Sequence, residues 1–253
     1  MGDAETVREG FGDAWWEDAL RQADDLAKAA QVRCPAAVER LDALLRAWAT
    51  GFAAVRADVL SPHLGAFRRG LGVDEAAGFL AALDARMLHV DSAGFVVPQA
   101  FRPKTKGGRY ALFSRNGSGV SVNLEYLIQL AAAGELVSVH QYAGADICFE
   151  QGEFDAVVED GVGVPVLVME AKARIHGPDS LTGLLASFLR LSVDGAAPAK
   201  DNHRRKYTAL LDIAAHARPV TLWLVAEGAR WSFEAAVADG GLRLVPQPFG
   251  ITY

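Results

Sequence analysis

The sequence predicts a mixed α/β protein with an α-helical N-terminal part, on three observations. Before about residue 95, apolar residues recur at helical spacing, as in "AVERLDALLRAWATGFAAVRADVL" (Val38, Leu41, Leu44, Leu45, Trp48). After about residue 119, one amphipathic helix gives way to short apolar runs of strand length. Between them, residues 98–119 are rich in Gly, Lys, Arg and Ser and carry no helical periodicity. A boundary there gives an α-helical domain with a C-terminal β-hairpin over 1–98 and a second, mixed domain over 99–253.

In the N-terminal domain, Ser61 and Pro62 fit the N-cap and first-turn proline of a short helix that stops near Gly70 or Gly72. The helix "DEAAGFLAALDAR" follows. "MLHVDSAGFVV" then places two apolar runs around Asp91–Gly94, which reads as a β-hairpin. Helix, turn, helix and hairpin is the element order of a winged helix, although small helical domains with no nucleic-acid role share it. In the second domain, "SVNLEYLIQLAAAGEL" puts Leu124, Leu127, Ile128, Ala131 and Ala132 on one stripe, with Ser121 or Asn123 as cap and Gly134 as stop. Strands are expected at about 136–142, 154–159 and 165–173, and one or two helices between Ser180 and Ala217. The strand "VTLWLVA" and a hairpin around "WSFEAAVADGGLRLVPQ" complete the domain.

Composition narrows the function. With 51% hydrophobic and 22% charged residues the chain is not disordered, and no apolar run approaches the ~20 residues of a membrane span. Its acidic N-terminus lacks the basic and apolar regions of a signal peptide, so a cytoplasmic location with no membrane partner is expected. Cys34 and Cys148 have no metal-binding or disulfide spacing and read as packed, reduced thiols. There is no GxxxxGK[ST], GxGxxG, GxSxG or HExxH, which removes the corresponding nucleotide-binding, hydrolase and zinc-protease readings.

The net charge of −6 is unevenly spread: residues 1–30 hold eight acids and three bases, which leaves the remaining chain nearly neutral. Two basic clusters stand out there, Arg102, Lys104, Lys106, Arg109 and Arg115 in "RPKTKGGRYALFSR", and Lys200, Arg204, Arg205 and Lys206 in "KDNHRRK". Each fits a solvated surface as well as a phosphate-contacting one; local charge on a binding face, not the chain total, governs nucleic-acid affinity.

The chemistry concentrates in "PVLVMEAKAR". Strand alternation sends Val166, Val168, Glu170 and Lys172 to one face and Leu167, Met169 and Ala171 to the other. If Gly161–Val164 is the hairpin loop to the preceding "EFDAVVED", Asp160 pairs with Pro165 and Asp155 stands opposite Glu170. Carboxylates facing each other at ~5 Å repel unless a cation offsets them. A divalent ion such as Mg²⁺ suits oxygen ligands, and a neighbouring ammonium from Lys172 can stabilise charge on a phosphate. A Glu170–Lys172 pair at the solvated end of the strand is the plainer alternative.

In order and spacing these residues resemble the PD-(D/E)xK nuclease superfamily, whose restriction-endonuclease-like core runs helix, three strands, helix, strand around a mixed central sheet. The resemblance covers about residues 109–226. It implies that Asp155 and Glu170 bind metal, that Lys172 is the catalytic lysine, and that Glu125 on the preceding helix assists at the metal; it also counts Ala171 among the metal-binding positions. It implies Mg²⁺, with Mn²⁺ able to substitute, and hydrolysis of phosphodiester bonds, in DNA before RNA, in restriction, phage defence, repair or mobile-element processing. Two departures stand out: Phe154 precedes Asp155 where Pro is expected, and "NHRRKY" offers Asn202, His203, Lys206 and Tyr207 but no Gln. Two other readings compete: a non-catalytic nucleic-acid-binding or regulatory protein that keeps the fold, and an interaction module whose acidic N-terminus and Trp15–Trp16 dock a partner protein or a second copy of the chain.

Overall fold

The computed structural model describes residues 2–21, 35–56, 61–62, 64, 73–103, 108–216 and 219–247. Cys34, Lys104, Lys106 and most of the short helix expected after Ser61 lie outside the described residues. In chain order come α1 (Asp3–Phe11), a helical stretch at 13–21, α2 (Pro35–Ala54), α3 (Val73–Asp84), β1 (Leu88–Val90), β2 (Phe95–Pro98), β3 (Arg102–Pro103), β4 (Tyr110–Ala111), β5 (Phe113–Asn116) and β6 (Gly119–Val122). There follow α4 (Leu124–Ser138), β7 (Ile147–Gln151), β8 (Phe154–Glu159), β9 (Pro165–Ala171), α5 (Leu181–Val193), α6 (Asp201–His216), β10 (Val220–Ala226), β11 (Ala229–Ala238) and β12 (Gly241–Gln247).

A seven-stranded mixed sheet of order β12-β11-β10-β9-β8-β7-β3 forms the middle of three layers. Strands β9 and β10 are parallel, as are β3 and β7; the other neighbours are antiparallel. On one face Leu167, Met169, Trp223 and Val225 pack with α2, α3 and α4; on the other Val168, Leu222 and Leu224 pack with α1, α5 and α6. Burial on both faces is why β9 and β10 read as unbroken apolar runs. The hydrophobic core on the α4 side runs without a break from Leu41 and Phe79 through Leu127 to Met169, across the expected 98/99 boundary. Arg230 on β11 reinforces that join. It is fully enclosed and reaches Glu135 on α4 at 2.9 Å and Glu75 on α3 at 3.0 Å.

Several expectations change. Gly134 does not stop α4, which runs to Ser138 and occupies the start of the strand expected at 136–142. It is a packing glycine: a Cβ there would meet Ala82 Cβ and Gly78 O at 3.0 Å, and one at Gly78 would meet Ala131 O at 3.0 Å, so α3 and α4 approach backbone to backbone. Asn123 is the N-cap but its side chain makes no cap bond, and Ser121 instead pairs with Ser114 across β5–β6 at 3.0 Å. Trp15 is half-buried and Trp16 buried, both against β11. Trp15 packs 5.8 Å from Trp231 and 5.5 Å from Phe233, and Trp16 lies 6.1 Å from Trp231. Among the described residues, no helix is long and apolar enough to cross a membrane.

Candidate active site

The register of β8 against β9 decides where the acids fall. Observed pairs are Ala156↔Met169, Val157↔Val168 and Val158↔Leu167, so one further step brings Asp155 against Glu170. The hairpin end departs from expectation: a bulge between Val158 and Glu159 pairs Glu159, not Asp160, with Pro165. Asp160 caps the turn instead, its carboxylate accepting from Val162 N at 3.0 Å and Val164 N at 2.9 Å. The bulge absorbs the slip on the loop side, and the acid pair is untouched.

At the other end of β9, Ala171 N donates to Asp155 Oδ2 at 2.7 Å, so the carboxylate takes an N–H where the ladder ends. Lys172 N continues the pairing to β10 by donating to Val225 O at 2.9 Å. Glu125, in the first turn of α4, completes the set: Glu125, Asp155 and Glu170 each offer a carboxylate oxygen, all within 4.8 Å of one another. Three acids so placed can hold a metal ion, and an all-oxygen donor set is the kind a hard divalent cation takes.

Two lysines enter the cluster. Lys172 Nζ donates to Glu125 Oε1 at 2.7 Å and Ala171 O at 3.0 Å, and stands 2.7 Å from Glu170 Oε1. That last contact is an ion pair without hydrogen-bond geometry, so Glu170 Oε1 stays buried with no hydrogen-bond partner among the described residues. Lys206, from α6, donates to Glu170 Oε2 at 2.7 Å and to the Glu153 carbonyl. Gln129, one turn along α4 from Glu125, donates to Asp155 O at 2.7 Å and Glu150 Oε1 at 3.3 Å. Glu170 is fully buried and Lys172 nearly so, whereas the Glu125 side chain is 40% exposed and forms the mouth of the site.

The electrostatics follow from that crowding. Burial first, and then repulsion from Glu170, push the Asp155 carboxyl well above the usual range, although Lys172 and Lys206 pull the other way. Burial also raises Glu150. Lys172 moves upward: burial opposes its charge, but Glu170, Asp155 and Glu125 together outweigh burial. Fully ionised, four carboxylates (Glu125, Glu150, Asp155, Glu170) and two ammonium groups (Lys172, Lys206) leave a formal charge of −2, which one divalent cation would balance.

The described residues expected at phosphate contacts each have a partner within the chain. Lys206 joins the acidic cluster. Arg109 pairs with Asp91 and lies over the Phe95 ring, 4.5 Å from its centroid. Arg115 donates to Gly117 O at 2.9 Å, and Arg204 donates to Gly195 O at 2.6 Å and Ala197 O at 2.7 Å. Arg205 pairs with Glu153 at 3.2 Å. Glu150 and Gln129 were not anticipated. Gln129 stands four residues after Glu125, one helical turn away on the same face, a signal the sequence does contain.

Fold and site together define a three-layer α/β protein with a buried cluster of acids and lysines at the end of a central strand. No family model, curated protein or solved structure matches the chain.

Proposed function

We propose that the chain is a metal-dependent nuclease of the PD-(D/E)xK type that hydrolyses phosphodiester bonds in DNA. The observation that carries this is the convergence of Glu125, Asp155, Glu170 and Lys172 from three elements, with Asp155 brought against Glu170 by the strand register. The order α4, β7-β8-β9, α5, β10 around a mixed sheet supports a restriction-endonuclease-like core. Asp155, Glu170 and Glu125 would hold Mg²⁺ or Mn²⁺, with the Ala171 carbonyl beside them. When bound, such an ion polarises a phosphoryl oxygen and lowers the pKa of a coordinated water.

The protein's own groups do the rest. Ala171 N holds the Asp155 carboxylate by Oδ2, and Gln129 holds the backbone carbonyl of the same residue. Lys172, held charged by three acids, presents an ammonium at the scissile phosphate and stabilises the charge that builds there. Lys206 holds Glu170 Oε2 in place in a buried position by a 2.7 Å hydrogen bond. In a metal-supplemented assay the purified protein should cut plasmid or single-stranded DNA, and Lys172→Ala should lower the rate by at least ~10²-fold. Equal cleavage by that variant rejects the assignment.

A second reading has one observation in its favour: both lysines are already engaged by the acids, which closes the cluster on itself. A non-catalytic nucleic-acid-binding or regulatory protein would then bind without metal, with affinity falling steeply as salt rises.

A further inference from the structure

A cavity of about 810 Å³ opens between the loop after Lys172 and the facing parts of α1, α5 and α6. His203 lines it and lies three residues from Lys206 on α6, a spacing that puts two side chains on one helix face, so cavity and acidic cluster are neighbours along that face.

The hydrogen bonds inside it fix what the cavity can recognise. Ser187 Oγ donates its single proton to Gly183 O at 2.8 Å, so it can only accept from His203 Nδ1, also 2.8 Å away. His203 therefore carries its proton on Nδ1. Its Nε2 is a bare lone pair, buried and without a partner among the described residues. Burial, with Lys200 and Lys172 nearby, lowers His203 to about 4, so the ring is neutral at pH 7. His176 repeats the device: Thr182 Oγ1 donates to Ile175 O at 2.6 Å and accepts from His176 Nδ1 at 3.2 Å, which leaves His176 Nε2 as a second acceptor. Arg190 contributes the opposite polarity, since its Nε is a buried donor without a partner among the described residues.

The N-terminus of α5 does not make this an anion site. Its first N–H groups are already taken by Arg174 O, Ile175 O and Ser180 Oγ. Pro178, Pro198 and Ala199 add apolar surface. A ligand for this cavity needs flat apolar faces and an edge with hydrogen-bond donors for the imidazoles and an acceptor for Arg190. A phosphate has no donor and a DNA sugar within a strand has none; a nucleobase has all of these.

We propose that the cavity receives one base of the nucleic-acid strand held at the acidic cluster, with His203 Nε2 accepting from a base amine. The strand's identity rests on the nuclease reading, but binding by the cavity can be tested without cleavage. In EDTA, dAMP and dCMP should bind by calorimetry or ligand-observed NMR, 2-deoxyribose 5-phosphate should not, and a single-stranded oligonucleotide should displace the mononucleotide. His203→Phe keeps a ring but removes the lone pair and should weaken binding about tenfold. His176→Ala, which also removes the ring's edge contact with Trp16 at 5.6 Å, should weaken it by a smaller factor, and its melting temperature separates lost packing from lost binding. No binding of either nucleotide, equal binding of the base-free sugar phosphate, undiminished affinity in both variants, or failure of the oligonucleotide to compete each overturns the proposal. Loss of the nuclease reading would appear elsewhere, as no cleavage with Mg²⁺ or Mn²⁺ while this metal-free binding persists.

Discussion

Lys206→Met tests what allows a carboxylate to sit in the core. Glu170 is fully buried; its Oε2 depends on Lys206 at 2.7 Å, while its Oε1 faces Lys172 at 2.7 Å without a hydrogen bond. Methionine keeps most of the volume and removes the charge, leaving Glu170 Oε2 and the Glu153 carbonyl without their donor. Deleting one partner of a buried pair costs ~3–5 kcal/mol. Lys172 remains beside the same carboxylate and Asp155 readily takes up a proton, so the lower end, ~3 kcal/mol, applies. At ~2–4 °C per kcal/mol for a chain of this size, the melting temperature in EDTA should fall by about 6–12 °C. The formal charge of the cluster also moves from −2 to −3, one ammonium fewer against four carboxylates, so Mn²⁺ should raise the melting temperature of the variant more than that of the wild type. Calorimetric scans with EDTA and with MnCl₂ measure both effects. A shift below ~2 °C in EDTA, or a smaller Mn²⁺ response in the variant, refutes the reasoning.

Arg230→Met should destabilise by ~3–5 kcal/mol, read by urea denaturation, because it strands Glu75 and Glu135 in the core; a loss under ~1 kcal/mol would show that the join between α3, α4 and β11 does not depend on the ion contacts. His203 should contribute a loss of stability as pH drops from about 6.5 to 4, since over that interval it takes a proton in the unfolded chain but not in the folded one; the raised carboxyls of Asp155 and Glu150 act in the opposite direction, so the His203 part is read as the difference between wild type and His203→Phe. The lowering to about 4 sets a ceiling near ~3 kcal/mol at ~1.4 kcal/mol per pH unit. His203→Phe should flatten that part of the stability profile, and an unchanged slope in the variant counts against the buried neutral imidazole.

What could be read from the sequence follows the physics of each element. A hairpin count located Asp155 opposite Glu170, because antiparallel strands pair residue for residue back from a short loop. The bulge at Val158/Glu159 was invisible to that count, yet it falls on the turn side of Val158↔Leu167 and leaves the functional end alone. Gly134 misled because a glycine in a helix has two explanations, a stop or a close approach, and the second depends on α3, a non-local partner. Lys206 was legible as a base but not as a partner of Glu170; no local pattern reports that α6 lays its face over the end of β9. Glu150 was hidden in the same way, brought to the cluster through its bond with Gln129.

The two lysines give the cluster its character. A buried site with three converging carboxylates would resist folding without a cation, because each acid raises the cost of ionising the next. Here Lys172 and Lys206 supply interim counter-charge from inside the fold, one from just past the end of the strand that carries Glu170 and one from a helix that packs over it. They do so incompletely: the residual charge of −2 and the unbonded Glu170 Oε1 leave room for one divalent ion, with exposed Glu125 at the entrance. On the proposed reading, the lysines serve first as partners that let the acids fold in place. Lys172 would be free to turn toward substrate if a bound cation supplied the counter-charge for Glu125 and Glu170, while Lys206, bonded to the other oxygen of Glu170, would stay where it is.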